Sequence, residues 1–282
     1  MGVTVPKDHE IGKIERAKGG TPGDPSKDFT ATDLTIYDSG TAFTTAVAKH
    51  GDRVLVFVHG YNTGFDDGVY RVTQIAHDTK YPGTPVLFSW ASGARTRDYV
   101  YDKDSSTAAR DDLETTLVML SKTRGIESID IIAHSMGTWV TMEALRQLAL
   151  TGNRNLGGKL GDVILASPDI DVDVFKSQMR RYGKPDRPFF LLLSTDDRAL
   201  KLSSILAGNK RVGDFGDPAV LAELGVVAVD VSHEEGGDRL NHTKFADNPE
   251  LVKLLGKRLR EDDGYASDRE VTDRINMLNQ GM

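Results

Sequence analysis

The 282-residue chain has 39% hydrophobic and 27% charged residues, a net charge of -7 and a pI near 5.5. These are values of a globular protein long enough to bury a substantial core. The acidic balance argues against a nucleic-acid surface, and no run of eighteen apolar residues is present to span a bilayer. Cysteine is absent, which excludes disulfides, thiolate metal sites and cysteine nucleophiles together.

Residues 1–52 read as a partly ordered N-terminal arm, rich in Gly, Pro, Lys and Asp, with Gly19-Gly20-Thr21-Pro22-Gly23-Asp24-Pro25 as its strongest breaker cluster. Thr35-Ile36-Tyr37 is expected as an edge strand and Ser39 to Lys49 as a short helix. The first ten residues hold no apolar core of signal-peptide length. That leaves the compartment open: cytoplasmic as the sequence stands, periplasmic or cell-envelope if a signal has been removed.

From residue 53 the pattern changes. Val54 to Val58 is a continuous apolar run of the kind found in a strand buried on both faces of a parallel sheet. Similar runs follow at Val86 to Phe88, Ile129 to Ile132, Val163 to Leu165, Phe189 to Leu193 and Val226 to Val231. Between them the spacing predicts helices at Asp66 to Thr79, Asp104 to Lys122, Ser135 to Leu150, Val172 to Arg181, Arg198 to Leu206 and Pro249 to Leu259. Such alternation implies an α/β domain over 53–260, a mostly parallel sheet with helices on both faces. Its strand carboxyl ends share one edge, where such sheets bind ligands. The connections after Asp169 and after Leu206 are too short for a large cap domain, leaving only the Val172 to Arg181 helix as a partial lid. Residues 261–282 form a polar tail with Val271, Ile275 and Leu278 at helical spacing. It reads as an exposed or frayed helix, or alternatively as a partner-binding one.

Ala133-His134-Ser135-Met136-Gly137 lies between one of these strands and its helix. A serine centred in such a turn, with small residues two positions either side, reads as a nucleophile elbow. A serine hydroxyl needs a base to take its proton and a third group to orient that base. Asp197, four residues past Leu193, supplies the acid, with Asp169 after the preceding strand as the alternative. Asp196 is expected to cap the following helix. His242 supplies the base, in competition with His233. His9 and His50 lie outside the sheet unit, His77 lies on a helix, and His134 is expected to point away from the serine. The backbone N–H groups of Met136 and of Tyr61, in the loop His59-Gly60-Tyr61-Asn62, are the expected oxyanion donors. Gly60 is expected to free the backbone for that turn, and His59 to bond within the loop. Trp90 and Tyr99 are candidates to line the substrate pocket. This chemistry requires neither metal nor organic cofactor.

With these residues assembled, the sequence resembles the α/β-hydrolase superfamily, and more narrowly the bacterial esterase/lipase-like family DUF900. The resemblance rests on Val58-His59-Gly60-Tyr61-Asn62-Thr63, Phe88-Ser89-Trp90, the elbow, Ser167-Pro168-Asp169-Ile170-Asp171, Asp197-Arg198-Ala199-Leu200 and His242 with Asn248-Pro249. It extends to Pro6 through Glu15 of the arm. It implies the α/β-hydrolase fold, Asp197 as acid, His242 as base and a carboxylic-ester substrate. The expected activity is therefore a serine hydrolase acting on esters of small to medium acyl chains, with a small-molecule partner. The alternatives are an acyltransferase, thioesterase or amidase using the same triad, or a non-catalytic hydrolase-like binding protein.

Overall fold

The computed structural model describes residues 1–260 except 20, 195, 208–210, 213–217, 233–237 and 239–240. The tail 261–282 and the competing histidine His233 lie outside the described residues. In the arm, β1 (Gly2–Thr4) pairs antiparallel with β2 (Thr30–Asp33), matching Val3 with Ala31. The strand expected at Thr35–Tyr37 is thus displaced toward the N-terminus. Ile36 is 82% exposed and carries no pairing. β2 has one half-buried and three exposed residues, so neither apolar alternation nor an apolar run marks it. The expected short helix forms as α1 (Gly40–Ala48), where the Ser39 hydroxyl accepts from the Ala42 N–H at 3.2 Å as its N-cap.

The body follows as β3 (Arg53–Val58), α2 (Phe65–Asp78), β4 (Thr84–Phe88), α3 (Tyr99–Ala108) and α4 (Arg110–Lys122). Next come β5 (Ser128–His134), α5 (Met136–Leu150), β6 (Leu160–Ala166), α6 (Val172–Tyr182), β7 (Phe189–Leu193) and α7 (Arg198–Ala207). The chain then adds α8 (Pro218–Glu223), β8 (Val226–Asp230), α9 (Lys244–Asp247) and α10 (Pro249–Arg260). The single helix expected over Asp104–Lys122 is two, starting earlier and divided at Ala109, whose φ of -75° and ψ of -7° stay near helical values. No Gly or Pro marks that break. α8 and α9 are each too short to announce themselves by periodicity.

Six strands form one parallel sheet in the order β4-β3-β5-β6-β7-β8. Alternate residues face opposite layers, as the strand's period of two requires. Val54, Val56 and Val58 of β3 join Leu113 and Leu117 of α4, Val140 and Leu145 of α5 and Phe175 of α6. Leu55 and Phe57 face Val72 and Ile75 of α2 and Leu251, Leu254 and Leu255 of α10. Because both faces are covered, the strands read as unbroken apolar runs in the sequence.

The order reverses between β3 and β5: the chain leaves β3 for β4 on one side and continues from β5 toward β8 on the other. At such a switch point the loops after the two central strands diverge and leave a crevice at the carboxyl edge. His59 to Gly64 and Ser135 occupy those two loops. At the opposite edge, Asp130 of β5 is fully buried and accepts from Arg53 (2.9 Å), Tyr81 (2.7 Å) and the Asp162 N–H (2.8 Å). These hydrogen-bonded charges tie β3, β5 and β6 together near their amino ends.

Candidate active site

Ser135 has φ 53° and ψ -124°, a combination that costs an L-residue about 1–3 kcal/mol. The surrounding chain imposes it. The Ser135 N–H donates to the Ala166 carbonyl at 2.9 Å, and its own carbonyl accepts from the Thr138 hydroxyl at 2.6 Å and the Thr138 N–H at 3.0 Å. Close packing explains the small residues nearby. A Cβ on Gly137 would run into the carbonyl oxygens of Val58 and His59, and one on Gly60 would lie 2.8 Å from the Ser135 Cβ. Gly60 is therefore required for close approach; the left-handed residue of its loop is Asn62, at φ 54°. Ala133 holds the first small position, its backbone paired between β3 and β6 and its methyl fully buried in the core layer of Val58 and Val140.

His242 is brought to the same edge. Its Nδ1–H donates to Asp197 Oδ2 at 2.6 Å, and the Asp197 side chain is fully buried. Asp197 Oδ1 accepts from the Leu200 N–H at 3.0 Å, so this residue also caps α7. The cap role expected of Asp196 thus falls on Asp197. Asp196 instead pairs with Lys244 at 2.7 Å and accepts from Asn241 at 3.0 Å, gripping the chain on both sides of His242. The His242 N–H donates to Asp238 at 2.8 Å. Burial works against protonation of the His242 ring, but the hydrogen bond and charge of Asp197 outweigh it and raise its pKa above 6.5.

His134 has a larger part than its expected orientation away from the serine suggests. Its Nε2–H donates to the His242 carbonyl at 3.0 Å, and the two rings lie 4.6 Å apart, with Phe245 behind at 4.9 Å. Burial, reinforced by the His242 charge, holds its pKa well below 6.5, so His134 is a neutral prop under the histidine loop. The sequence signal is its position beside the serine, which the elbow motif treats as variable.

Asp169 is engaged elsewhere. Its carboxylate accepts from Tyr99 at 3.0 Å and Ser203 at 2.5 Å and pairs with Arg211 at 3.1 Å. Of the two aspartates weighed as acid, it is Asp197 that the structure brings to His242. The Tyr99 hydroxyl is tied into this network, its pKa pushed up to about 12 by burial and the neighbouring carboxylate. Its ring packs edge-on against Tyr61 at 5.4 Å. Trp90 is 5% exposed, stacks on the His59 ring at 4.9 Å and donates Nε1–H to the His59 carbonyl at 2.8 Å. Neither Trp90 nor Tyr99 is on the wall of the cavity described below: both brace the loop behind it.

His59 bonds within the loop as expected. Its Nδ1–H donates to the Gly60 carbonyl at 2.9 Å while Nε2 accepts from the Trp90 N–H at 3.1 Å, and burial lowers its pKa. Asp102, a fully buried carboxylate on α3, accepts from the Asn62 N–H at 3.1 Å, the Ser92 hydroxyl at 2.7 Å and the Gly93 N–H at 2.6 Å. It locks the loops after β3 and β4 together. Met136 is the first residue of α5, so its N–H has no acceptor within the helix and sits at the positive end of the helix dipole.

A cavity of about 480 Å³ opens on this edge, its lining joining Gly60, Tyr61, His134 and His242 with apolar Phe57 and Phe245 and charged Asp67, Arg71 and Asp238; Ser135 and Met136 are not on its wall. Ile14 and Arg16 of the arm also line it. The partial lid expected from the Val172–Arg181 helix is not over this cavity. α6 instead buries Phe175 and Met179 in the core, and its Gln178 donates to Glu143 of α5 at 2.7 Å.

A parallel sheet covered on both faces, with a strained serine turn at its switch point, is the architecture of the α/β-hydrolases. The chain belongs to the family described as "Alpha/beta hydrolase of unknown function (DUF900)", whose profile matches residues 38–258. Among solved structures it is similar to the Pyrococcus furiosus esterase Pf2001 at 14% identity and TM-score 0.41, covering 74% of this chain and 83% of that one. An esterase from Pyrobaculum calidifontis matches at 11% identity and TM-score 0.43, covering 78% and 89%. A fungal esterase from Rhizomucor miehei matches at 13% identity and TM-score 0.43, covering 78% and 77%. No curated protein matches the sequence. Among the described residues no helix is long and apolar enough to cross a membrane.

Proposed function

We propose that the protein is a serine hydrolase that cleaves carboxylic esters of small to medium acyl chains through an acyl-enzyme intermediate. The observation that carries this reading is the convergence of a serine at φ 53° on the carboxyl edge with a histidine bonded to a buried aspartate at 2.6 Å. Ser135 attacks the acyl carbonyl while His242 takes its proton, and Asp197 holds the imidazole with Nε2 toward the reaction and stabilises its charge. Among the described residues the hydrogen bond of the His242 ring is to Asp197, and in this reading the Ser135 hydroxyl turns to Nε2 when substrate arrives. The amides of Met136 and Tyr61 hold the oxyanion. The proton then passes from His242 to the leaving alcohol, and His242 next activates water against the acyl-enzyme.

The cavity beside His242 supports acyl chains of modest length by its size, ordinary for small-molecule sites, with Phe57 and Phe245 as the aromatic part of a lining that also carries Asp67, Arg71 and Asp238. No step calls for a metal or an organic cofactor. Ser135→Ala should reduce hydrolysis of short p-nitrophenyl esters by about six orders of magnitude with an unchanged melting curve. An unchanged rate would refute the reading.

A further inference from the structure

Two of the histidines that stand outside the catalytic edge meet at the seam between the arm and the C-terminal end of α2. His9 Nε2 lies 2.7 Å from Asp78 Oδ1, and His77 Nδ1 lies 3.3 Å from the same oxygen. One potential ligand atom from each of the three residues falls within 4.8 Å of the other two. The side chain of Asp78 is fully buried and that of His9 is 4% exposed, whereas His77 is 54% exposed and opens the cluster to solvent. The two imidazoles stand edge to face at 5.2 Å.

The groups behind these three are arranged to aim them. The second nitrogen of His9, Nδ1, bonds Glu15 at 2.8 Å, which leaves Nε2 as the atom directed at the cluster. A carboxylate on the far nitrogen is the usual orienting partner of a metal-bound histidine. Asp78 Oδ2 is likewise occupied, by the Gly12 N–H at 2.8 Å and Gln74 Nε2 at 2.6 Å, so Oδ1 is the oxygen presented to both rings. The carbonyls at the end of α2 add a partial negative charge.

We propose that His9, His77 and Asp78 form a binding site for a divalent transition cation of the zinc class, with Glu15 and Gln74 as orienting partners. Two imidazoles and one carboxylate, with a fourth position open to water beside exposed His77, suit such an ion. Bonds of about 2.0–2.1 Å in a tetrahedral site put ligand atoms roughly 3.4 Å apart. The His77–Asp78 separation of 3.3 Å already fits, and the His9–Asp78 separation of 2.7 Å has to open. The two imidazole nitrogens, within 4.8 Å of each other, have to settle at the same spacing, the His9 Nε2 proton leaving to solvent as the cation takes its place. The ion would pin the arm to α2 just before Ile14 and Arg16, the arm residues that line the cavity beside His242. Sequence spacing does not announce the site, because its two histidines come from segments distant in the chain.

The untagged full chain, stripped with a chelator, should bind one equivalent of Zn²⁺ by calorimetry and give tetrahedral visible bands with Co²⁺. His77→Ala, which removes a half-exposed ring whose hydrogen bond among the described residues is to Asp78 at 3.3 Å, should leave the metal-free melting curve near that of the wild type and abolish the Co²⁺ bands. Glu15→Gln should weaken Zn²⁺ binding by about 10–100-fold. Absence of Zn²⁺ binding up to millimolar concentration, or equal affinity in the wild type and His77→Ala, would overturn the proposal. Repeating the titration on Ser135→Ala keeps this test independent of the esterase reading.

Discussion

Asp169 and Asp197 are both buried aspartates in loops at the carboxyl ends of neighbouring strands, β6 and β7, and they do opposite things. Asp169 is enclosed by Arg211, Tyr99 and Ser203, a guanidinium and two hydroxyls with no imidazole among them. Asp197 has a histidine, whose charge changes between about pH 5 and 8. Burial and a position at a strand end are common to both. What separates a structural carboxylate from a candidate catalytic one is the partner, and whether that partner can take and return a proton.

The largest effect expected from breaking this comparison is on the histidine side. Asp197→Asn should lower kcat/KM by about four orders of magnitude. It should also move the acid limb of the pH profile. In the proposed reaction His242 serves as base only when neutral, so wild-type activity should fall as pH drops through a pKa held above 6.5. Without the carboxylate, burial is left to disfavour the charged ring, and the limb moves to lower pH. A loss of activity with the limb unmoved would place the acid elsewhere.

On the arginine side the loss should appear in stability. Asp169→Asn leaves the Arg211 guanidinium, 7% exposed, without its counter-charge. Removing one member of such a buried pair costs about 3–5 kcal/mol, measurable by urea unfolding. The acid limb measured on the folded fraction should stay near its wild-type position. A limb shifted as far as in Asp197→Asn would make the two carboxylates equivalent and dissolve the distinction.

The sheet was legible because strands covered on both faces must be apolar at every position, as in Val54 to Val58 and Phe189 to Leu193. Ser135 was legible because its left-handed turn demands small neighbours, and Asp197 and His242 because they follow later strands. What local pattern does not encode is long-range contact. Trp90 and Tyr99 have the look of pocket residues, yet both are drawn inward by partners far along the chain, the His59 carbonyl and Asp169. The same holds for Ile14 and Arg16, which reach the cavity from the arm, and for His134, whose partner is the His242 backbone. Asp197 could both cap a helix and bond a histidine because its two oxygens face different elements, which one letter in a sequence does not reveal.

The central claim is that Ser135 is made nucleophilic by the His242–Asp197 pair. The most direct measurement is covalent labelling by a fluorophosphonate, read by peptide mass spectrometry in the wild type and in Asp197→Asn. The account predicts one adduct per chain, on Ser135, formed far more slowly in the variant. Labelling on another residue, or equal rates in the two proteins, would contradict it.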